Sequence, residues 1–172
     1  MFAEIAANPQ FAIGVGVDYV RMGASDDYVS AIEVPLEEYL EAELYYQTGY
    51  PYSVDVTFDS KFSIIPITLY AKWTPAMQGS VLPYIKLGGG FYRMTVKADL
   101  TIDVPEAGVS ESASDSASEN KPGFFGGVGI DFKASPAVKV GVFAEMHNIL
   151  TEGESLKYYN MGVSLGFGSA SN

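Results

Sequence analysis

The chain has 172 residues, 48% of them hydrophobic and only 18% charged, against about 25% charged in a typical soluble domain. A net charge of −11 with no Lys/Arg cluster excludes nucleic acid as a partner, and the absence of cysteine excludes disulfide scaffolds and thiolate metal sites. No run of about 18 apolar residues marks a membrane-crossing helix, and Met1-Phe2-Ala3-Glu4 has neither the basic start nor the apolar stretch of a signal peptide. An exported protein with this start is expected to be a mature form, or to carry an added Met1.

Glycine, tyrosine and alternating aliphatics favour β structure, and period-two alternation recurs along the chain. The first expected strand sets Phe11, Ile13, Val15, Val17 and Tyr19 against Ala12, Gly14, Gly16 and Asp18. A weaker one, Tyr28 to Leu36, sets Ile32, Val34 and Leu36 against Ala31 and Glu33. The third sets Leu40, Ala42, Leu44 and Tyr46 against Glu41, Glu43, Tyr45 and Gln47, and is preferred to a helical turn over Pro35–Glu43. The fourth sets Ile65, Ile67, Leu69, Ala71 and Trp73 against Thr68, Tyr70 and Lys72.

The fifth expected strand is long, about Leu82 to Asp103. In its second half Tyr92, Met94, Val96, Ala98, Leu100 and Ile102 oppose Arg93, Thr95, Lys97, Asp99, Thr101 and Asp103. Its first half has the reverse phase, with Ile85 and Leu87 apolar and Lys86 polar, so a β-bulge is expected at Gly88-Gly89-Gly90. That triplet is not a phosphate loop, since no Gly-Lys-Ser/Thr follows. Three further strands set Phe124, Val128, Ile130 and Phe132 against Asp131 and Lys133, Val138 to Met146 against Lys139, Glu145 and His147, and Tyr159 to Phe167 against Asn160, Gly162, Ser164 and Gly166. The total of eight is even, as closed up-and-down barrels require.

The connections alternate in length. Pro35–Glu38, Thr74–Ser80 and Ala134-Ser135-Pro136 read as tight turns. Gly23–Asp27, Thr48–Ser60, Val104–Lys121 and Leu150–Leu156 read as longer polar loops, the asymmetry of outer-membrane barrels. The low-complexity run Ser110–Glu119 reads as a solvated, flexible acidic loop.

Alternation alone does not say whether the apolar face meets lipid or a core, because a soluble barrel alternates too. Two features favour lipid. The polar face is rich in Gly, Ser, Thr and Tyr with few charges of both signs, which suits a narrow interior. With the N-terminus periplasmic, Phe11, Trp73, Phe132 and Phe167 fall at one rim and Tyr19, Tyr46, Phe124 and Tyr159 at the other, as two aromatic girdles. The outward charges Arg21 and Lys157 fall at strand ends, where headgroups are in reach.

The stretches Ile65-Pro66-Ile67-Thr68-Leu69-Tyr70-Ala71-Lys72-Trp73 and Leu82-Pro83-Tyr84-Ile85-Lys86-Leu87-Gly88-Gly89-Gly90-Phe91-Tyr92 resemble OmpW-like and OmpA-OmpX-type outer-membrane barrels. So do Gly126 to Phe132, Val140 to Glu145 and Gly162 to Phe167, and the resemblance covers roughly residues 61 to 168. It implies an eight-stranded barrel in the outer membrane of a Gram-negative cell. Such barrels end on an aromatic residue read by the assembly machinery, whereas here Phe167 is followed by Gly168-Ser169-Ala170-Ser171-Asn172.

The expected interior network comprises Asp18, Glu33, Glu41, Glu43, Asp99, Asp131 and Glu145 against Lys72, Lys86, Arg93, Lys97, Lys133 and Lys139, together with His147. Charges of both signs filling an eight-stranded lumen are the preferred reading over a solute path. His147 with Glu145 admits a hydrolase reading like that of lipid A deacylases, but Met146-His147-Asn148 lacks the adjacent serine. The carboxylates from Asp103 to Glu119 do not have EF-hand spacing.

The expected fold is therefore all-β, an eight-stranded antiparallel up-and-down transmembrane β-barrel. It forms a single domain over residues 1–172, with a flexible loop at about 104–121 and a short tail at 168–172. The expected function is an integral outer-membrane barrel with a structural, interaction or minor small-solute passage role, and with no catalytic, cofactor or metal residues. Expected partners are outer-membrane lipids and lipopolysaccharide, the barrel-assembly machinery and small solutes, with the chain a monomer. The alternatives are a soluble lipocalin-like barrel binding an apolar ligand, which needs no detergent, and a lipid A-modifying enzyme, which loses activity in His147→Ala.

Overall fold

A computed structural model describes residues 1–76, 79–135 and 137–167. The expected tail at 168–172, Pro136 of one tight turn and Met77-Gln78 of another lie outside the described residues. Eight strands form one antiparallel sheet: β1 (Phe2–Ala6), β2 (Phe11–Val17), β3 (Val20–Gly23), β4 (Asp55–Trp73), β5 (Val81–Val104), β6 (Val109–Ser135), β7 (Val138–Ile149) and β8 (Leu156–Phe167). One helix, α1 (Asp26–Thr48), follows β3. The order is β1-β2-β4-β5-β6-β7-β8, with β3 on β4, so neighbours in sequence are neighbours in space. Among the described residues this path ends at β1 and β8, and no ladder joins the two.

Eight strands are present, but not the eight expected. The expected strands Tyr28–Leu36 and Leu40–Tyr46, and the turn Pro35–Glu38 between them, are all within α1. Their places in the sheet are taken by β1, which pairs with β2 from Phe2↔Gly16 to Ala6↔Ala12, and by β3. The chain also divides into two compact units, one of Met1–Tyr19, Ile65–Arg93 and Asn120–Asn172, the other of Val20–Ile64 and Met94–Glu119.

In the first unit the alternation turns polar groups in and apolar groups out. Ile67, Val140 and Val163 are 57%, 37% and 73% exposed, while Thr68, Asp131, Glu145 and His147 are buried. A soluble barrel would show the reverse, and the lipocalin-like alternative fails on this observation. Along β5, Tyr84, Lys86, Gly88, Gly90 and Tyr92 face inward and Ile85, Leu87 and Phe91 outward, without a break. The phase inversion expected at Gly88–Gly90 is therefore absent. Tyr92 is buried and Arg93 exposed, the opposite of the sequence expectation. Beyond residue 93 the aliphatic residues stand at the even positions, the parity that carries Tyr84, Lys86 and Tyr92 inward.

In the second unit α1 is set by its ends. The Ser25 hydroxyl caps it by accepting from the Tyr28 N–H, Asp26 and Asp27 occupy its first turn, and Gly49 closes it in the left-handed conformation, φ 72°, donating to the Tyr45 carbonyl. Ile32, Leu36, Leu40 and Leu44 recur every four residues on one stripe. Leu40, Ala42, Leu44 and Tyr46 also satisfy period two, which is why a strand was expected there.

The edge of β4 explains how α1 is held. β3 pairs with β4 from Val20↔Ile64 to Gly23↔Lys61, and Ala24 N–H adds one more bond to the Ser60 carbonyl. Beyond that, among the described residues, the same edge pairs with no strand. Instead the N–H groups of Phe58, Val56 and Val54 donate to the carboxylates of Glu33 (2.7 Å), Glu37 (3.0 Å) and Glu41 (3.1 Å). Three glutamates spaced four apart on a helix thus occupy an otherwise open strand edge, which would be a site for unwanted pairing. Glu37→Ala removes the acceptor of the buried Val56 N–H and is expected to cost about 1–3 kcal/mol. Faster hydrogen exchange at Val56 checks it, and unchanged exchange there contradicts it.

The expected loops also differ. Thr48–Ser60 already contains the start of β4, and residues 104–121 are strand on both sides of a 3-10 turn, Pro105–Ala107. The Ser/Ala/Glu run is solvated as expected but extended rather than irregular, with Thr95 and Ser118 hydroxyls 2.9 Å apart across the strands. At the turn the Glu106 carboxylate accepts from Ser53 N–H at 3.2 Å. Its own backbone N–H, ahead of that from Ser53, holds its carboxyl below the usual glutamate value.

Candidate functional site

The inward side chains of the first unit come from β1, β4, β5, β6, β7 and β8 and form two linked charge clusters. In one, Lys72 on β4 lies 2.8 Å from Asp131 on β6 and 3.6 Å from Glu4 on β1, and its ammonium sits 4.0 Å above the Tyr84 ring. The Tyr70 hydroxyl donates to Glu4 at 2.9 Å. In the other, Lys86 on β5 lies 2.9 Å from Glu145 on β7, with its ammonium 4.0 Å above the Tyr70 ring. Each lysine is thus held between a carboxylate and a tyrosine face, the two groups that best replace water around an ammonium.

His147 extends the second cluster. Its Nε2 is 3.3 Å from Glu145 and its Nδ1 3.0 Å from the Tyr92 hydroxyl. The imidazole is stacked between Tyr158 (4.5 Å, 6°) and Phe125 (4.9 Å, 14°) and is only 2% exposed. Two buried side-chain oxygens, Tyr158 Oη and Asn148 Oδ1, have no hydrogen-bond partner among the described residues.

Space for these rings comes from glycine across the strand. Gly14 is the Cα partner of Tyr70, and a Cβ there would lie 2.5 Å from the ring. At Gly123 a Cβ would meet the Tyr92 ring at 2.7 Å. Gly14 and Gly123 on the inner face are therefore seats for large rings.

The expected network divides accordingly. Lys72, Lys86, Asp131, Glu145 and His147 come together. Asp18 lies just past β2 with its side chain half exposed, and Lys133 and Lys139 are exposed partners at the ends of β6 and β7. Glu33 and Glu41 cap the β4 edge, and Glu43 accepts from Gln47 on α1. Arg93 is exposed, and Lys97 and Asp99 are exposed in the second unit. These eight, with Asp18, correct the expectation. α1 replaces two of the expected strands, β5 keeps one parity through Gly88–Gly90, and Asp18, Lys133 and Lys139 lie at strand ends.

Sequence reasoning missed Glu4, Tyr70, Tyr84, Tyr92, Phe125 and Tyr158 as members of the cluster. The available signal was parity: Tyr70 alternates in step with Lys72, and Tyr84 with Lys86. Of the girdle residues, Phe11, Trp73, Phe132 and Phe167 are exposed near the short-turn end of the first unit, with Phe11 and Trp73 as register partners. Tyr19, Phe124 and Tyr159 are exposed at the other end, whereas Tyr46 lies on α1.

Chemically, Tyr92, His147 and Glu145 align like a base relay, but a reacting group must also be reachable by substrate. The imidazole is covered on both faces and engaged at both nitrogens. A groove of about 620 Å³ in this unit is lined by Trp73, Pro83, Ile85, Val128, Ile130 and Val142 among others, and by none of the His147 cluster. Among the described residues no group of three or more His, Cys, Asp or Glu is arranged to hold a metal ion.

A family model described as outer membrane protein beta-barrel domain matches residues 1–168. A comparison with curated proteins gives no match.

Proposed function

The chain belongs to the outer membrane protein beta-barrel domain family, and from that premise we propose that it is a sealed barrel with a structural and interaction role, neither a pore nor an enzyme. Its architecture is that of an eight-stranded antiparallel up-and-down transmembrane β-barrel of the outer membrane. The observation that carries the proposal is the filled inner face. Lys72–Asp131, Lys86–Glu145 and the ring stack around His147 occupy the interior with paired charge and aromatic volume. An eight-stranded barrel is only wide enough for side chains to fill, and here they are large ones.

The outward Phe11, Trp73, Phe132 and Phe167 form one aromatic belt and Tyr19, Phe124 and Tyr159 the other, at the headgroup level. The surroundings are outer-membrane lipid and lipopolysaccharide, reached through the barrel-assembly machinery, and the barrel works as a monomer. Purified protein reconstituted in planar bilayers is expected to give no stable conductance steps, while boiling shifts its electrophoretic mobility as for a folded barrel. Reproducible single-channel steps from heat-modifiable protein would overturn the sealed reading.

A further inference from the structure

Charge is divided very unevenly along this chain. The unit of Val20–Ile64 and Met94–Glu119 holds fifteen of the 21 acidic residues but only three of the ten basic ones, Arg21, Lys61 and Lys97. Lys61 is already paired with Asp59. Within that unit α1 is the densest part: it carries Asp26, Asp27, Glu33, Glu37, Glu38, Glu41 and Glu43 and no Lys or Arg. Glu33, Glu37 and Glu41 are used on the β4 edge, which fixes the face α1 turns to the strands.

With about 3.6 residues per turn, Tyr39 and Tyr46 lie about 160–180° around the helix from Glu37, and Asp27, Glu38 and Tyr45 lie on the flank next to them, about 80–100° from it. That side is open: Tyr39, Tyr45 and Tyr46 are 64%, 59% and 87% exposed. Rings of this size are normally placed where they bury area, and α1 has no buried residue.

The first unit shows what this chain does with the same two groups. Lys72 sits between Asp131 and the Tyr84 ring, and Lys86 between Glu145 and the Tyr70 ring. The outward face of α1 presents carboxylates beside tyrosine rings without a cation of its own. We propose that this face of α1 docks a cationic, Arg/Lys-rich segment of a partner protein, the guanidinium or ammonium groups pairing with Asp27 and Glu38 and lying on the rings of Tyr39 and Tyr46. It rests on the interaction role proposed above and supplies the chemistry of its partner.

The test uses the whole protein in detergent micelles and a fluorescent nona-arginine peptide followed by anisotropy. Binding is expected, weakening as salt is raised. The charge variant Asp27→Asn/Glu38→Gln and the ring variant Tyr39→Leu/Tyr46→Leu each leave Glu33, Glu37 and Glu41 in place. Each is expected to lose about tenfold in affinity, with the Val56 amide still protected. Glu111→Gln/Asp115→Asn, equally acidic sites on β6, is expected to bind like the parent.

Absent binding overturns the proposal, and so do α1 variants that bind like the parent. Equal losses from the α1 and β6 variants overturn it too, since they point to a diffuse field. Conductance is measured on the same preparation, so a sealed barrel that ignores the peptide refutes this inference alone.

Discussion

Lys86→Met is expected to destabilise the barrel by about 3–5 kcal/mol, because it leaves Glu145 buried without its cation. The pair is 2.9 Å apart, with side chains only 17% and 5% exposed, and among the described residues Glu145 then keeps the His147 ring at 3.3 Å. The same substitution also removes the cation above the Tyr70 ring. Urea unfolding from lipid vesicles measures the loss. The double variant Lys86→Met/Glu145→Leu removes both charges and is expected to recover most of it, as buried pairs exchanged together for apolar groups often do. A single variant as stable as the parent would mean that water reaches this carboxylate, and would contradict the filled interior.

Leu69→Arg is expected to cost about 2–4 kcal/mol in vesicles, the penalty for a cation near the bilayer midplane. Leu69 is outward on β4, opposite Val15, and lies midway between Ile65 and Trp73. Tyr159→Arg, outward near the start of β8, is expected to cost about 0–1 kcal/mol because an arginine there reaches the headgroups. The contrast between the two positions is the diagnostic. Equal and small effects would mean that the outward face of β4 meets water.

Much of the sheet was legible because period two is a strong signal wherever one face is apolar. Strands β6, β7 and β8 follow their expected alternation, and β4 does so from Ile65 to Trp73. The helix was not legible from periodicity, since Leu40 and Leu44 satisfy both periods. Its evidence lay at the margins, in Ser25-Asp26-Asp27, in Gly49 and in the spacing of Glu33, Glu37 and Glu41. The hairpin at 104–121 was illegible for a different reason: a strand wet on both faces has no alternation to display. In the interior, parity and charge point to Lys72, Lys86, Asp131 and Glu145 but not to Glu4. The rings are harder to place, because tyrosine suits both a headgroup belt and a filled lumen; parity with Lys72 and Lys86 and a glycine across the strand tell the two apart.

The three-rung contact between α1 and β4 behaves as a vernier. Four helical residues advance about 6.0 Å and two strand residues about 6.6 Å, so each successive glutamate slips about 0.6 Å against its N–H. Over the rungs at Glu33, Glu37 and Glu41 the flexible side chains absorb that slip, and all three bonds remain within 3.1 Å. A fourth rung would fall at residue 45, where the slip approaches ~2 Å and the chain places a tyrosine. A helix can therefore stand in for a strand only over a few residues, and the mismatch of the two repeats sets the length at which the substitution stops. Lengthening the acidic repeat of α1 would add charge without adding grip.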